Sequence, residues 1–245
     1  MFKAEIKSET LKGLVGVIST IVDEVKLNVA PGGIKLRAMD QAHVAMIELE
    51  AGAKAFESYS ADEMELGVDL DKIKAVIKLS VAGDLISMEL DEAKRRLVFK
   101  VGSITRSMSL IEPSGIAVPK ELNLSLQSSA DLEVDLLQKG TRASESISDY
   151  VLVTLGEDSF EMACVGDTDE ARMRVDKKDL AGFEVPEPAG NLYPLDYFAN
   201  VVKAIPSGTL VRLEEDEGRP LRIRFSMANG EVKVAYILAP RIEND

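Results

Sequence analysis

The sequence has very few of the side chains that carry most enzyme chemistry: one histidine, His43, and one cysteine, Cys164, among 245 residues. A zinc site needs clustered His and Cys ligands, and a disulfide within the chain needs two cysteines, so neither is expected. No Ser-His-Asp or Cys-His arrangement is possible without His43, which has no nucleophile motif beside it. Cys164 lies in an apolar run and is expected to be a buried, unreactive thiol.

Long apolar runs and glycine-rich phosphate loops are also missing. No run is long enough to span a bilayer and no secretory segment is present, so we expect a soluble intracellular protein without a membrane partner. We predict no catalytic residue, no metal ligand and no cofactor. Carboxylates are numerous, with 42 Asp and Glu residues, so a carboxylate-based, metal-dependent enzyme stays open as an alternative. The acidic run 214–217 is expected to be solvated in a hairpin turn.

One pattern is repeated four times, about every 60 residues: an amphipathic helix followed by two or three strands. Apolar residues at spacings of three and four predict helices over 9–22, 71–80, 135–146 and 194–205. Short apolar runs between turns predict strands over 2–6, 25–29, 34–39, 44–49, 66–70, 85–90, 96–101, 105–110, 130–134, 150–155, 160–165, 170–175, around 192, and over 210–214, 221–227 and 231–238. Asn229-Gly230 is a strong hairpin signal because both residues tolerate positive φ.

The repeat predicts two similar domains, each with two βαβββ units, in the α+β class. The expected domains are residues 1–111 and 128–245. The connector between them, residues 112–127, has prolines at 113 and 119 and no helical period. Its leucines at 122, 124 and 126 alternate with polar residues, so its second half is expected to lie along a sheet surface.

The charge of the chain is unevenly distributed. The net charge is −13, which alone argues against a polyanionic partner. The four predicted helices nevertheless carry seven basic and five acidic residues, and four of the acids lie at helix N-termini, where they meet the positive end of the dipole. The basic residues are Lys12, Lys72, Lys74, Lys78, Lys139, Arg142 and Lys203. These helical faces are either ordinary solvated surface or one surface for weak, sequence-independent phosphate contact.

The first helix has the least basic face of the four. Besides Lys12, it is expected to expose mainly Gly13, Gly16, Val17 and Thr20. Gly140 is expected to weaken the third helix by about 1 kcal/mol relative to alanine.

Five segments resemble the proliferating cell nuclear antigen family of sliding clamps. They are GIKLRAMDQAHVAMIEL at 33–49, Gly67-Val68-Asp69-Leu70, Leu110-Ile111-Glu112-Pro113, Ser148-Asp149 and the closing Leu238-Ala239-Pro240-Arg241-Ile242-Glu243. The segments fall in the family's order over the whole chain, and the tail and the length resemble an archaeal member.

The resemblance implies a DNA clamp fold, in which helices form the inner face of antiparallel sheets. Three chains would form a homotrimeric ring around double-stranded DNA, without sequence preference and without catalysis. Such a ring tethers DNA polymerase, clamp loader, flap endonuclease and DNA ligase through short peptide motifs, in replication and repair. An archaeal clamp would be cytoplasmic, and a eukaryotic one would be nuclear. A subunit of a heterotrimeric clamp stays open as an alternative.

The resemblance also implies three sets of site residues. The DNA-facing set is Lys12, Lys74, Lys78, Lys139, Arg142 and Lys203. The partner-peptide pocket is formed by Met39, His43, Val44, Leu124, Pro220, Ile237, Ala239 and Pro240. The subunit interface joins the strands 105–110 and 170–175 of neighbouring chains, with Arg106, Met108, Leu110, Arg172, Met173 and Arg174. The arginines predict ion pairs and salt-sensitive assembly.

Overall fold

The computed structural model describes residues 1–242, and Glu243, the last residue of the closing motif, lies outside them. The described chain contains four α-helices: α1 (Ser8–Ile18), α2 (Leu70–Ile77), α3 (Val134–Ser144) and α4 (Leu195–Ala204). The four predicted helices are therefore confirmed, each somewhat shorter than predicted. In the first two, a hydroxyl competes with the helical hydrogen bonds at the C-terminal end. Thr20 Oγ1 donates to the Val17 carbonyl, and Ser80 Oγ to the Ile77 carbonyl, each at 2.7 Å.

The strands alternate with these helices in the predicted order. The first nine are β1 (Phe2–Lys7), β2 (Glu24–Ala30), β3 (Gly33–Met39), β4 (Ala45–Gly52), β5 (Ser58–Ala61), β6 (Met64–Asp69), β7 (Leu85–Asp91), β8 (Arg96–Val101) and β9 (Ile104–Ser109). The others are β10 (Ser129–Glu133), β11 (Tyr150–Leu155), β12 (Ser159–Val165), β13 (Glu170–Asp176), β14 (Gly182–Glu184), β15 (Ala189–Pro194), β16 (Leu210–Glu214), β17 (Leu221–Met227) and β18 (Val232–Leu238). The sequence reading missed β5 and β14, which are short and pair antiparallel with β1 and β10.

The chain divides into two compact units. Unit 1 consists of Met1–Asp40, Ile47–Lys120 and Ser226–Val234. It contains a sheet in the order β5-β1-β7-β8-β9 and a run of strands in the order β4-β3-β2-β6. Its apolar core joins both sets of strands to α1 and α2, through buried residues such as Phe2, Leu14, Leu49 and Ile73.

Unit 2 repeats this arrangement. It consists of Gln41–Met46, Glu121–Phe225 and residues from 235 onward. Its strands run in the orders β14-β10-β16-β17 and β13-β12-β11-β15. Its largest buried side chains include Phe160, Tyr193 and Phe198. Both units thus combine helices with antiparallel strands, as the α+β prediction requires.

An equivalent hydrogen bond occurs at the start of each of the four helices, in agreement with the fourfold repeat. The first residue of each helix donates its backbone N–H to the carbonyl of the residue directly before a strand. These bonds run from Ser8 to Asp84, Leu70 to Asp23, Val134 to Thr209 and Leu195 to Asp149, at 2.8–2.9 Å. Each bond satisfies one of the N–H groups that a helix start leaves unpaired. Each helix start is therefore tied to the loop that follows the other helix of its own unit.

Two residues of the helices, Val17 and Gly140, are packed in ways that the sequence did not predict. Val17 is fully buried and not exposed as predicted. Gly140 is buried where α3 approaches β12 and β13, and a Cβ there would lie 3.0 Å from Met162 Sδ and 3.2 Å from Met173 Cε. The close packing of α3 against these two methionines therefore explains why this position of the helix has a glycine.

Candidate functional site

The basic residues predicted to face DNA lie on the solvent side of the helices. In unit 1, α1 and α2 pack side by side, with Lys12 and Lys78 exposed and Lys74 half-buried. Lys74 Nζ forms an ion pair with Asp71 at 2.9 Å. Within the described residues, neither Lys12 nor Lys78 has an ion-pair partner within 4.0 Å, so their charges are available to an anion.

The helices of unit 2 form a similar pair. Gln138 Nε2 on α3 donates to the carbonyls of Val202 and Ile205 at 3.2 Å, which ties α3 to the C-terminal end of α4. Lys139, Arg142 and Lys203 are exposed. Lys203 forms an ion pair with Glu145, whereas the described part of the chain gives Lys139 and Arg142 no such partner within 4.0 Å. The six cations therefore differ in how much charge they can offer.

The two strands of the predicted subunit interface are both edge strands. β9 is the last strand of its sheet, and so is β13. Arg106 is exposed and Leu110 is half-buried, whereas Met108, at 5% exposure, is the one buried residue of β9. On β13, Met173 is half-buried, and Arg172 and Arg174 both form ion pairs with Glu161. Burial alone would raise the pKa of Glu161, but the two guanidinium groups hold that pKa below its usual value.

Most residues predicted to form the peptide pocket belong to unit 2. His43 is exposed and adopts a positive φ of 59°, in the turn before β4. Val44 accepts a 2.9 Å hydrogen bond at its carbonyl from the Ala239 N–H, so these two residues lie together. In unit 2 the half-buried members are Val44, Leu124, Pro220, Ala239 and Pro240, whereas Ile237 is buried. Met39 is the half-buried last residue of β3 and belongs to unit 1.

The connector has polar anchors that the sequence reading did not identify. Arg37 Nη1 in unit 1 donates to the Pro119 carbonyl at 3.4 Å, and Arg222 Nη1 in unit 2 donates to the Leu124 carbonyl at 3.1 Å. Each guanidinium also binds a carboxylate through its Nε, Glu48 at 2.8 Å for Arg37 and Glu214 at 2.6 Å for Arg222. No motif in a single sequence identifies an arginine that binds a backbone carbonyl.

The acidic run 214–217 is not the solvated turn that the sequence reading predicted. Glu214 ends β16, is 5% exposed, and binds Arg222 Nε and Arg224 Nη2 at 2.6 Å. Glu215 is fully buried. Its Oε1 accepts hydrogen bonds from Asn191 Nδ2 and Tyr193 Oη at 2.9 Å, and its Oε2 has no partner among the described residues. The prediction was wrong for Glu214 and Glu215, because arginines and polar groups on neighbouring strands compensate their carboxyls, whereas Glu217 is exposed as predicted.

The burial of Glu215 changes its protonation. Removal from water raises the pKa of Glu215 to about 8, although hydrogen bonds from Asn191 and Tyr193 oppose that rise. Burial likewise raises the pKa of Tyr193. Glu215 is therefore mostly neutral at pH 7, which explains how a carboxyl without a cationic partner is accommodated in the core.

Neither metal ligands nor membrane spans are found in the described chain. Among residues 1–242, no three His, Cys, Asp or Glu side chains are arranged to hold a metal ion. None of the helices in that range is long and apolar enough to cross a membrane. Cys164 is buried.

Comparison with known sequences identifies close relatives over the full length of the chain. Residues 1–109 match the family model described as proliferating cell nuclear antigen, N-terminal domain. The chain is 39% identical to the DNA polymerase sliding clamp of Methanosarcina mazei and 34% identical to that of Natronomonas pharaonis, each match covering 100% of both chains.

Solved structures have the same fold. The chain superposes on A. fulgidus PCNA, solved with the C-terminal region of FEN-1 bound, with a TM-score of 0.94 and 29% identity over 100% of both chains. It superposes on PCNA from Thermococcus kodakaraensis with a TM-score of 0.90 and 20% identity, covering 98% of this chain and 100% of that one. The second likeness supports the fold alone.

Proposed function

Since the chain belongs to the family of DNA polymerase sliding clamps, we propose that it forms a ring around duplex DNA and holds a polymerase on its template. Membership in this family makes it a non-catalytic processivity factor, and the alternative of a metal-dependent enzyme is set aside. The observation that best supports DNA contact is the cationic solvent face of the helices in a chain of net charge −13. Weak phosphate contact suits a ring that is retained by topology and must slide.

We propose that Lys12, Lys74, Lys78, Lys139, Arg142 and Lys203 face the DNA. Lys74 and Lys203 already have acidic partners in their own units, Asp71 and Glu145. Their contribution to phosphate contact is therefore smaller than that of the cations without such partners. Phosphate contacts of this kind carry no sequence information, which agrees with binding to any duplex.

The proposed partner-peptide pocket comprises Met39, His43, Val44, Leu124, Pro220, Ile237, Ala239 and Pro240. A relative with the same fold binds the C-terminal region of FEN-1, which supports a peptide site in this chain. Polymerase, clamp loader, flap endonuclease and DNA ligase are the proposed partners. We place the domains at 1–111 and 128–245, with the connector 112–127 beside the pocket, and the ring in the cytoplasm of an archaeal cell.

Self-assembly is proposed to join β9 of one chain to β13 of the next, giving a closed homotrimer. Unpaired strand edges are otherwise sites of unwanted association, and this pairing would cover the edges of β9 and β13. Light scattering at low and high salt tests it. A trimer that dissociates at high salt is expected, and a monomer under every condition would contradict the homotrimer and favour a heterotrimeric ring.

Retention on circular DNA tests the ring itself. The protein is loaded onto nicked plasmid with an archaeal clamp loader and ATP, and the complex is separated from free protein by gel filtration. We expect protein to stay with the circular plasmid and to be lost after the plasmid is cut once, because a ring slides off a free end. Equal retention on circular and linear DNA would contradict a topological link.

A further inference from the structure

The second half of the connector lacks regular secondary structure. Between the short 3-10 helix Pro113–Gly115 and the start of β10, no helix or strand is present, and most residues of this stretch are exposed. Its backbone therefore has no ladder of hydrogen bonds to hold it, and its conformation depends on individual side-chain contacts. In unit 2, Asp216 in the β16–β17 turn and Arg222 on β17 both bind the backbone of this stretch.

Arg222 holds the middle of this stretch. Its Nη1 donates to the Leu124 carbonyl at 3.1 Å, while its Nε donates to Glu214 Oε2 at 2.6 Å. Glu214 is buried and also binds Arg224, so it fixes the plane of the Arg222 guanidinium. The guanidinium can thus hold the Leu124 backbone in one place.

Asp216 holds the end of the stretch. Its Oδ1 accepts hydrogen bonds from the N–H groups of Gln127 and Ser128, and its Oδ2 accepts a second one from Gln127, all at 3.1 Å. The backbone N–H of Glu215 adds a 3.0 Å bond to the Ser128 carbonyl. Hydrogen bonds to a charged acceptor are stronger than neutral ones, so Asp216 is the main anchor at this point.

The turn that carries Asp216 is itself rigidly held. Asn191 donates to the Asp216 carbonyl at 3.1 Å and accepts from the Gly218 N–H at 2.8 Å. Glu217 Oε2 accepts a 3.1 Å bond from the Gly190 N–H. These contacts connect the turn to β15, so the position of Asp216 is set by the core of unit 2.

We propose that Arg222 and Asp216 are positioning residues for partner-peptide binding: they hold Leu124 and the connector end in the conformation that a bound peptide requires. This inference rests on the proposed function, because Leu124 is a member of the proposed peptide pocket. A pre-formed binding segment reduces the ordering cost of binding, so losing either anchor weakens affinity without removing any side chain that touches the peptide.

Affinity for a labelled peptide of the FEN-1 C-terminal region, measured by fluorescence anisotropy, tests this role. We expect Arg222→Met and Asp216→Ala to raise Kd about five- to tenfold, because each variant loses the one to three hydrogen bonds that its side chain makes to the connector. Arg224→Met removes the same charge and the same kind of Glu214 contact but does not touch the connector, and Asp167→Ala removes an exposed acid from another turn. Both controls should change Kd less than about twofold.

Hydrogen exchange of residues 116–128, followed by mass spectrometry, measures the anchoring without any peptide. Exchange should be faster in Arg222→Met and Asp216→Ala than in either control. Asp216→Asn keeps Oδ1 as an acceptor without the charge, so it should fall between the unsubstituted protein and Asp216→Ala in both experiments, and it replaces Asp216→Ala if that variant does not fold.

The outcomes separate this inference from the proposed function. Peptide binding that is equal in Arg222→Met and Arg224→Met, with binding by the unsubstituted protein intact, would overturn the positioning role alone. Failure of the unsubstituted protein to bind the peptide would overturn both. Faster exchange together with unchanged affinity would also overturn the positioning role, since a loosened connector would then have no effect on binding.

Discussion

The carboxylate of Asp135, near the start of α3, accepts a hydrogen bond from the Gly208 N–H at 2.6 Å, and Ser207 Oγ donates to it at the same distance. Unit 1 has the corresponding contact, in which Glu9 Oε1 accepts from the Gly83 N–H at 3.0 Å. In both units, an acid in the first turn of one helix therefore holds the loop that follows the other helix. Hydrogen bonds from Ser207 and Gly208 keep the pKa of Asp135 below its ordinary value of 3.8.

We predict that Asp135→Asn lowers the urea midpoint at pH 7, because the charged acceptor is lost. A lowered pKa means that this contribution is fully present above the ordinary carboxyl value and is lost as pH falls through the lower value of the folded state. The difference between the two proteins should therefore shrink in strong acid. Asp167→Asn, at an exposed turn, is the control. A difference that stayed constant down to pH 2 would show that the charge of Asp135 is not involved.

The contribution of Glu215 to stability should depend on pH in the opposite direction to that of Asp135. The ordinary pKa of Glu215 is 4.5 and burial raises it to about 8, so the folded protein holds a proton that the unfolded chain loses. Stability from this group is therefore greatest below pH 4.5 and falls as pH rises through 8. Besides burial, the groups that shift its pKa most are Asn191, Tyr193 and the acid Glu217.

The test is Glu215→Gln, which is neutral at every pH and keeps an oxygen acceptor for Asn191 and Tyr193. Urea midpoints measured from pH 5 to pH 9 should fall for the unsubstituted protein and fall much less for Glu215→Gln. The variant should then be the more stable of the two at pH 9. If the urea midpoints of the two proteins changed with pH in parallel, Glu215 would not be neutral in the folded protein.

Two glycines should respond to alanine in opposite directions. A Cβ at Gly67 would lie 2.5 Å from the Ile111 carbonyl oxygen, whereas a Cβ at Gly16, on the exposed side of α1, meets no atom within 4 Å. We expect Gly67→Ala to destabilise the protein by about 1–3 kcal/mol through steric overlap. Gly16→Ala should stabilise it by about 0.5–1 kcal/mol, because alanine favours the helix. Thermal unfolding measures both. An unchanged or raised Tm in Gly67→Ala would contradict the close packing at Gly67, and a lowered Tm in Gly16→Ala would contradict the open position of Gly16.

The cations on the helices should not contribute equally to DNA binding. We predict that the double variant Lys139→Gln, Arg142→Gln binds duplex DNA with a weaker salt dependence. The slope of log K against log salt concentration should decrease in magnitude by about one or more. The matched pair Lys74→Gln and Lys203→Gln should reduce it less, because Asp71 and Glu145 already neutralise those lysines. Anisotropy titrations over a range of salt provide the slopes. Equal effects of the two pairs would mean that these ion pairs do not persist near DNA.

Local patterns were sufficient to predict most of the fold. Apolar spacing located all four helices, and alternating runs between turns located the strands, because each has one buried side. β5 and β14 were missed since strands of four and three residues give too short a pattern to recognise. The burial of Val17 also depends on tertiary packing, which the apolar spacing within α1 does not report.

The acidic run 214–217 shows why the site was harder to predict than the fold. In sequence it has four consecutive acids, and such runs are ordinarily solvated. In the structure, strand pairing opposes Glu214 to Arg222, and the chain brings Asn191 and Tyr193 to Glu215 from more than twenty residues away. The groups that allow Glu214 and Glu215 to be buried are thus brought together by tertiary structure. The anchoring of the connector by Arg222 and Asp216 also depends on tertiary structure and could not be predicted from the sequence.

Primer extension on a long, singly primed circular template measures whether the protein holds a polymerase on DNA as a sliding clamp does. The reaction contains a DNA polymerase, a clamp loader and ATP. Excess unlabelled primed template is added as a trap, so that each polymerase extends only one labelled primer. We expect that adding this protein lengthens the products from short fragments to most of the circle, and that this gain requires the loader. Product lengths that are the same with and without the protein would contradict its role as a sliding clamp.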